Sequence, residues 1–99
     1  MADDLNNKPY GAWIAIDIAK DFNAVLSETK SGKRQHFRIA NSAQDHDRFI
    51  AYLRSLPAPC LVGFEATSNY HRALGHRLMA EGFETCLISS IASVRYREV

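Results

Sequence analysis

Residues 12–18 read Ala12-Trp13-Ile14-Ala15-Ile16-Asp17-Ile18, an apolar and partly β-branched run that carries one acid near its end. Such a run predicts a buried strand. A second stretch repeats the pattern. Cys60-Leu61-Val62-Gly63-Phe64-Glu65 is continuous, apolar and closed by an acid, as expected of an interior parallel strand.

Between these two runs the periodicity changes twice. After the polar break Lys20-Asp21, Phe22 to Thr29 predicts a second strand, and Ser31-Gly32, between Lys30 and Lys33, a hairpin turn. Arg34 to Ile39 then alternates, Phe37 and Ile39 pointing one way, His36 and Arg38 the other. At Asn41-Ser42 the pattern becomes helical. Ser42 with Asp45 resembles a capping box, Phe49, Ile50, Leu53 and Leu56 follow at helical spacing, and Pro57 and Pro59 end the helix.

Beyond Glu65, Thr67, Ser68 and Asn69 offer caps for a second helix beginning near Asn69. Tyr70, Leu74, Leu78 and Met79 form its apolar stripe and Gly82 its stop. Glu84 to Ser89 predicts a fifth strand, and Ser90 to Val99 the start of another helix. The order is β-β-β-α-β-α-β. An antiparallel meander followed by βαβ crossovers gives an α/β fold: a mixed five-stranded sheet of order 3-2-1-4-5 with helices packed on it, the ribonuclease-H-like arrangement.

A chain of 99 residues is one small domain. Residues 1–10 are polar and expected to be flexible; 11–99 form the domain. Hydrophobic content of 46% with 23% charged residues excludes a disordered chain. A net charge of +1 announces no nucleic-acid binder, though a local patch suffices for one. Cys60 and Cys86 lie far apart in apolar runs and match no metal spacing, so both are expected as buried free thiols. The start lacks the pattern of a signal peptide, and no stretch is long enough to cross a membrane. A cytoplasmic location is expected.

In the predicted sheet, strands 1 and 4 are parallel neighbours at the centre. Asp17 and Glu65 then meet at their carboxyl ends, where open α/β sheets place their sites. Ala15 and Gly63 on the same face leave room beside them. Two facing carboxylates repel, and a hard divalent cation resolves the repulsion. Phosphodiester chemistry uses such pairs. The plainer reading is that each acid marks where a strand leaves the core, paired with Lys20 or Arg72.

Two motifs bear on this choice. Trp13-Ile14-Ala15-Ile16-Asp17-Ile18-Ala19-Lys20-Asp21 is similar to the opening motif of the DEDD insertion-sequence transposases, the group that includes the pilin-inverting recombinases. Glu65-Ala66-Thr67-Ser68-Asn69-Tyr70-His71-Arg72-Ala73-Leu74 resembles their second motif, of the type E-A-T-G-N-Y-H-R-P-L, and is the more specific of the two. The resemblance runs from Gly11 to about Ser89.

It implies a RuvC-like domain acting in DNA transposition, by metal-dependent strand cleavage and exchange, with Mg²⁺ or Mn²⁺ held by four acids. Asp17 would be the first acid and Glu65 the second, both catalytic and metal-binding. The third and fourth belong to a T-D-x-x-D-A motif that these 99 residues do not contain, and the family's serine domain is not among them either. The resemblance therefore implies an amino-terminal fragment, inactive alone, with weak or no metal binding. Its partners would be DNA and, in the full-length family, a guide RNA. Ser68 stands where the family has Gly, Ala73 where it often has Pro, and Ser89 to Ser93 replaces a V-N-P stretch.

Lys20, Asn69, Tyr70 and Arg72 are the candidate nucleic-acid contacts: a helix amino terminus favours phosphate, and Tyr70 can stack on a base. Against this, Asn69 fits an ordinary cap and Tyr70 the helix stripe. His71 and His76 are too poorly spaced for metal and read as surface residues. Lys30, Lys33, Arg34 and Arg38 make a basic hairpin that either tracks a nucleic-acid backbone or guards an edge strand. Apolar surface around the fifth strand, with Ile91 to Val99 as the contact, predicts a homodimer. Two other classes stay open: a non-catalytic nucleic-acid- or protein-binding module, and an actin- or sugar-kinase-like fold, whose glycine-rich turn Ile18-Ala19-Lys20 does not supply.

Overall fold

The computed structural model describes residues 10–65 and 71–88. Five strands and two helices alternate as β1 (Ala12–Ile18), β2 (Phe22–Thr29), β3 (Arg34–Ala40), α1 (Ala43–Arg54), β4 (Cys60–Glu65), α2 (His71–Ala80) and β5 (Glu84–Ile88). They form one mixed sheet in the order β3-β2-β1-β4-β5. β1 runs antiparallel to β2 and parallel to β4, β2 antiparallel to β3, and β4 parallel to β5. The expected topology is the observed one.

Alternation along the strands divides the sheet into two unlike faces. Ala12, Ile14, Ile16 and Ile18 of β1 join Val25, Ile39, Cys60, Val62 and Phe64 in a single core under Phe49, Ile50 and Leu53 of α1 and Leu74 and Leu78 of α2. Both helices therefore cover the same face. Phe37, Phe49 and Tyr52 close the α1 end with an edge-on contact of 4.9 Å between the Phe37 and Tyr52 rings. Across the surface, Arg77 bonds Asp47 of α1 at 2.7 Å and Glu81 at 3.2 Å, and Arg54 reaches Glu81 at 2.6 Å, linking the two helices.

Turn and cap chemistry sets the element ends. Gly32 turns the β2–β3 hairpin at φ +95°, a left-handed backbone that glycine adopts without strain. Ser42 caps α1, its Oγ accepting from Asp45 N at 3.2 Å. The capping box is only half made, because the Asp45 carboxylate accepts from Ala40 N instead, at 2.7 Å. Gly82, at φ +90°, ends α2 in a Schellman turn: Phe83 N donates to Leu78 O and Gly82 N to Met79 O.

Three expectations change. Met79 is not part of the buried stripe; it is 64% exposed. Leu74 and Leu78, four residues apart, take the inward face of α2, and one residue further the helix has already turned Met79 away. Cys86 is exposed, because alternation puts it on the face opposite the helices, whereas Cys60 is buried as expected. The space beside Gly63 is taken: a Cβ there would meet Ile88 Cγ2 at 3.2 Å and Cys86 Sγ at 3.5 Å. The start of the second helix near Asn69, Ser89 of the fifth strand, the third helix from Ser90 and the contact segment Ile91 to Val99 lie outside the described residues.

Candidate functional site

The parallel register of β1 and β4 runs from Ala12 opposite Cys60 to Ile16 opposite Phe64. One step further the same register brings Asp17 level with Glu65. Neighbouring strands lie about 4.8 Å apart, so the two acids are side by side at the carboxyl ends of the central strands. Their odd-numbered positions put them on the face opposite α1 and α2, with Ala15 and Gly63 behind them. Asp17 is exposed and Glu65 half-buried.

Among the described residues neither carboxylate has an ion-pair or hydrogen-bond partner, although four other acids, Glu28, Asp45, Asp47 and Glu81, are paired with arginines. Lys20 and Arg72, the two cations expected to neutralise the acids if they were merely strand ends, form no ion pair with them. Two adjacent, unneutralised carboxylates are a hard-oxygen pair of the kind that a divalent cation needs. Among the described residues no group of three or more potential metal ligands occurs, so this chain's described contribution stops at two.

The turn that follows Asp17 is held by a polar clamp that sequence reading did not single out. Asn23 is fully buried. Its Oδ1 accepts from Ala19 N at 3.2 Å, and its Nδ2 donates to Asn41 Oδ1 at 2.7 Å. Asn41 Nδ2 in turn donates to the carbonyls of Ala19 and Lys20, both at 2.8 Å. The residues after Asp17 are thus tied to the end of β3. A fully buried Asn side chain requires such partners.

The other candidates divide. Lys20 is exposed and lines one shallow depression with Asp17. Arg72 is exposed in the first turn of α2 and lines a different depression, between α2 and β5, with Phe64, His76 and Leu87. The structure does not bring Arg72 into the depression of Asp17. Asn69 and Tyr70 lie outside the described residues. His76 is exposed, as expected.

Among the described residues no helix is long and apolar enough to cross a membrane. No curated protein matches the chain. The model of one protein family, the IS110-type DEDD transposases, described as transposase, matches residues 14–99. That span contains both acids, the asparagine clamp and all of the sheet but the first two residues of β1. It takes in nearly the whole chain, which therefore belongs to the DEDD transposases of the IS110 type.

Proposed function

We propose that this chain supplies the first two carboxylates, Asp17 and Glu65, of a divalent-metal site that cleaves and exchanges DNA strands in transposition. The observation that carries the reading is the level placement of the two acids on adjacent parallel strands with no cationic partner among the described residues. Mg²⁺ or Mn²⁺ is the fitting ion, since both are hard cations that take oxygen ligands. Bound there, it would supply charge neutralisation at the attacked phosphate and an activated oxygen nucleophile.

Within that reading Lys20 contacts a phosphate beside Asp17, Asn69 and Tyr70 contact nucleic acid from the segment between β4 and α2, and Arg72 does so from the first turn of α2. The partner is DNA, with a guide RNA as a second one in the complete machinery. Two carboxylates leave most of an ion's coordination to water, so binding by these residues alone is weak and the chain by itself does not cleave DNA. A homodimer is part of the proposal: Met79 and Leu87 are 64% and 60% exposed, and apolar surface of this kind favours association. Light scattering that gives only monomer mass at high concentration would remove that part.

The test is a Mn²⁺ titration followed by NMR. Paramagnetic broadening is expected first at the amides around Asp17 and Glu65, and it should vanish in Asp17→Asn. No cleavage of single-stranded, duplex or branched DNA is expected. Metal-dependent cleavage lost in Asp17→Asn would show a site already competent. Unchanged spectra at millimolar Mn²⁺ would return the acids to the role of strand ends.

A further inference from the structure

We propose that Phe22 and Arg38 form a docking point for an unpaired stretch of DNA beside the two acids, with Phe22 taking a base and Arg38 the adjoining phosphate. The inference rests on the two-acid reading only for where the reacting phosphate lies.

The strand registers place four residues in one row across the face opposite the helices. Asp17 is level with Glu65 on one side and paired with Ala24 on the other, and Ala24 is paired with Arg38. At about 4.8 Å per strand, Arg38 starts roughly 10 Å from Asp17, and only the methyl group of exposed Ala24 stands between them. Phe22, two residues before Ala24, shares this face. Asp17, Lys20, Phe22, Ala24 and Arg38, with Ala19 and Asp21, line one depression.

Two features mark Phe22 and Arg38 as more than surface. Phe22 is a large aromatic side chain left 51% exposed at a strand end. The Arg38 guanidinium lies over its ring, 5.2 Å from the centroid. Among the described residues Arg38 has no carboxylate partner, whereas Arg34 on the same strand and face is neutralised by Glu28 at 2.8 Å. A cation set over an aromatic face keeps its charge and its N–H donors available for a phosphate.

The chemistry selects the ligand. Ring and guanidinium planes recognise a base by stacking, and a base in a duplex is already stacked, so the partner is a strand with free bases. The acids repel phosphate and Arg38 attracts it. A strand is therefore anchored on the β2–β3 side and passes over the carboxylates, where a cation would be needed to hold the next phosphate.

The experiment measures fluorescence anisotropy of a labelled 20-nucleotide DNA, single-stranded or duplex, in EDTA, so that no metal contributes. Arg38→Gln, Phe22→Ala and Phe22→Leu are each expected to weaken single-strand binding at least five-fold. Phe22→Leu keeps apolar packing and removes only the π face. Arg48→Gln, which removes an equal charge from exposed Arg48 on α1, should stay within two-fold. In EDTA, Asp17→Asn should bind at least as tightly as wild type, whatever the Mn²⁺ titration shows for that variant. Wild-type binding by Arg38→Gln or Phe22→Leu would overturn the proposal. So would an equal loss in Arg48→Gln, or a loss from Phe22→Leu as large on duplex as on single strand.

Discussion

Asn23 and Asn41 bond side chain to side chain at 2.7 Å, and through that bond the end of β3 holds the backbone of Ala19 and Lys20. Asn23 is fully buried, so its amide has no water to turn to. Asn23→Ala should leave Ala19 N and Asn41 Oδ1 short of a partner and destabilise the fold by about 1–3 kcal/mol. Urea denaturation reads the loss. A variant as stable as wild type would mean that the clamp contributes nothing beyond packing.

Asp17 and Glu65 face each other without neutralisation among the described residues, so removing one charge should help folding. Asp17→Asn is expected to raise stability by up to about 1 kcal/mol at low ionic strength. The gain should shrink as salt screens the repulsion. Denaturation midpoints at low and high NaCl check this; a loss of stability in Asp17→Asn would point to an attractive role for that carboxylate.

His46 Nε2 is buried and has no hydrogen-bond partner among the described residues. Burial, and then the nearby Arg77 charge, pushes its pKa below the ordinary 6.5. The folded state therefore binds the proton less readily than the unfolded one. The stability this confers is fully present above pH 6.5 and declines as pH falls through the folded pKa. His46→Leu should flatten the stability profile between pH 7 and 5, which thermal melts across that range would register. An unchanged slope would assign the acid sensitivity to carboxylates.

Gly82 sits at φ +90° in the turn that ends α2. Nothing lies within 4 Å of a Cβ added there, so the cost of Gly82→Ala is conformational alone. It should be about 1–2 kcal/mol. The same experiment at Gly75, inside the helix and with φ in the ordinary range, should go the other way or stay near zero, since alanine favours helix. Melting temperatures of the two variants separate these effects.

Strands were legible where the apolar run is continuous: Ala12–Ile18 and Cys60–Glu65 coincide with those runs, while Phe22–Thr29 is the stretch between the Lys20-Asp21 break and the Ser31-Gly32 turn. The two acids were legible for the same reason, as charges at the ends of runs that otherwise admit none. Met79 was misread because one residue beyond Leu78 the helix has turned off the stripe that Leu74 and Leu78 share, and Cys86 because alternation along β5 puts it on the face opposite the helices. The clamp was invisible for a topological reason: Asn23 and Asn41 are 18 residues apart, and only the hairpin register, Asn23 against Ile39, makes them neighbours. The Phe22–Arg38 pair has the same origin. In the sequence Arg38 reads as one charge of a basic hairpin and Phe22 only as the start of a strand.

The pairing of Ala12 with Cys60 joins residues separated by 48 positions of chain (60 − 12 = 48), whereas β1, β2 and β3 pair through short turns. In kinetic terms the meander can assemble from local contacts, while the closure of β4 on β1 carries the larger loop entropy and comes later. Asp17 stands on the early part and Glu65 on the late one. The carboxylate pair thus exists only after the least local contact of the sheet has formed, and a cation held between them would stabilise the completed fold while leaving the free meander unaffected.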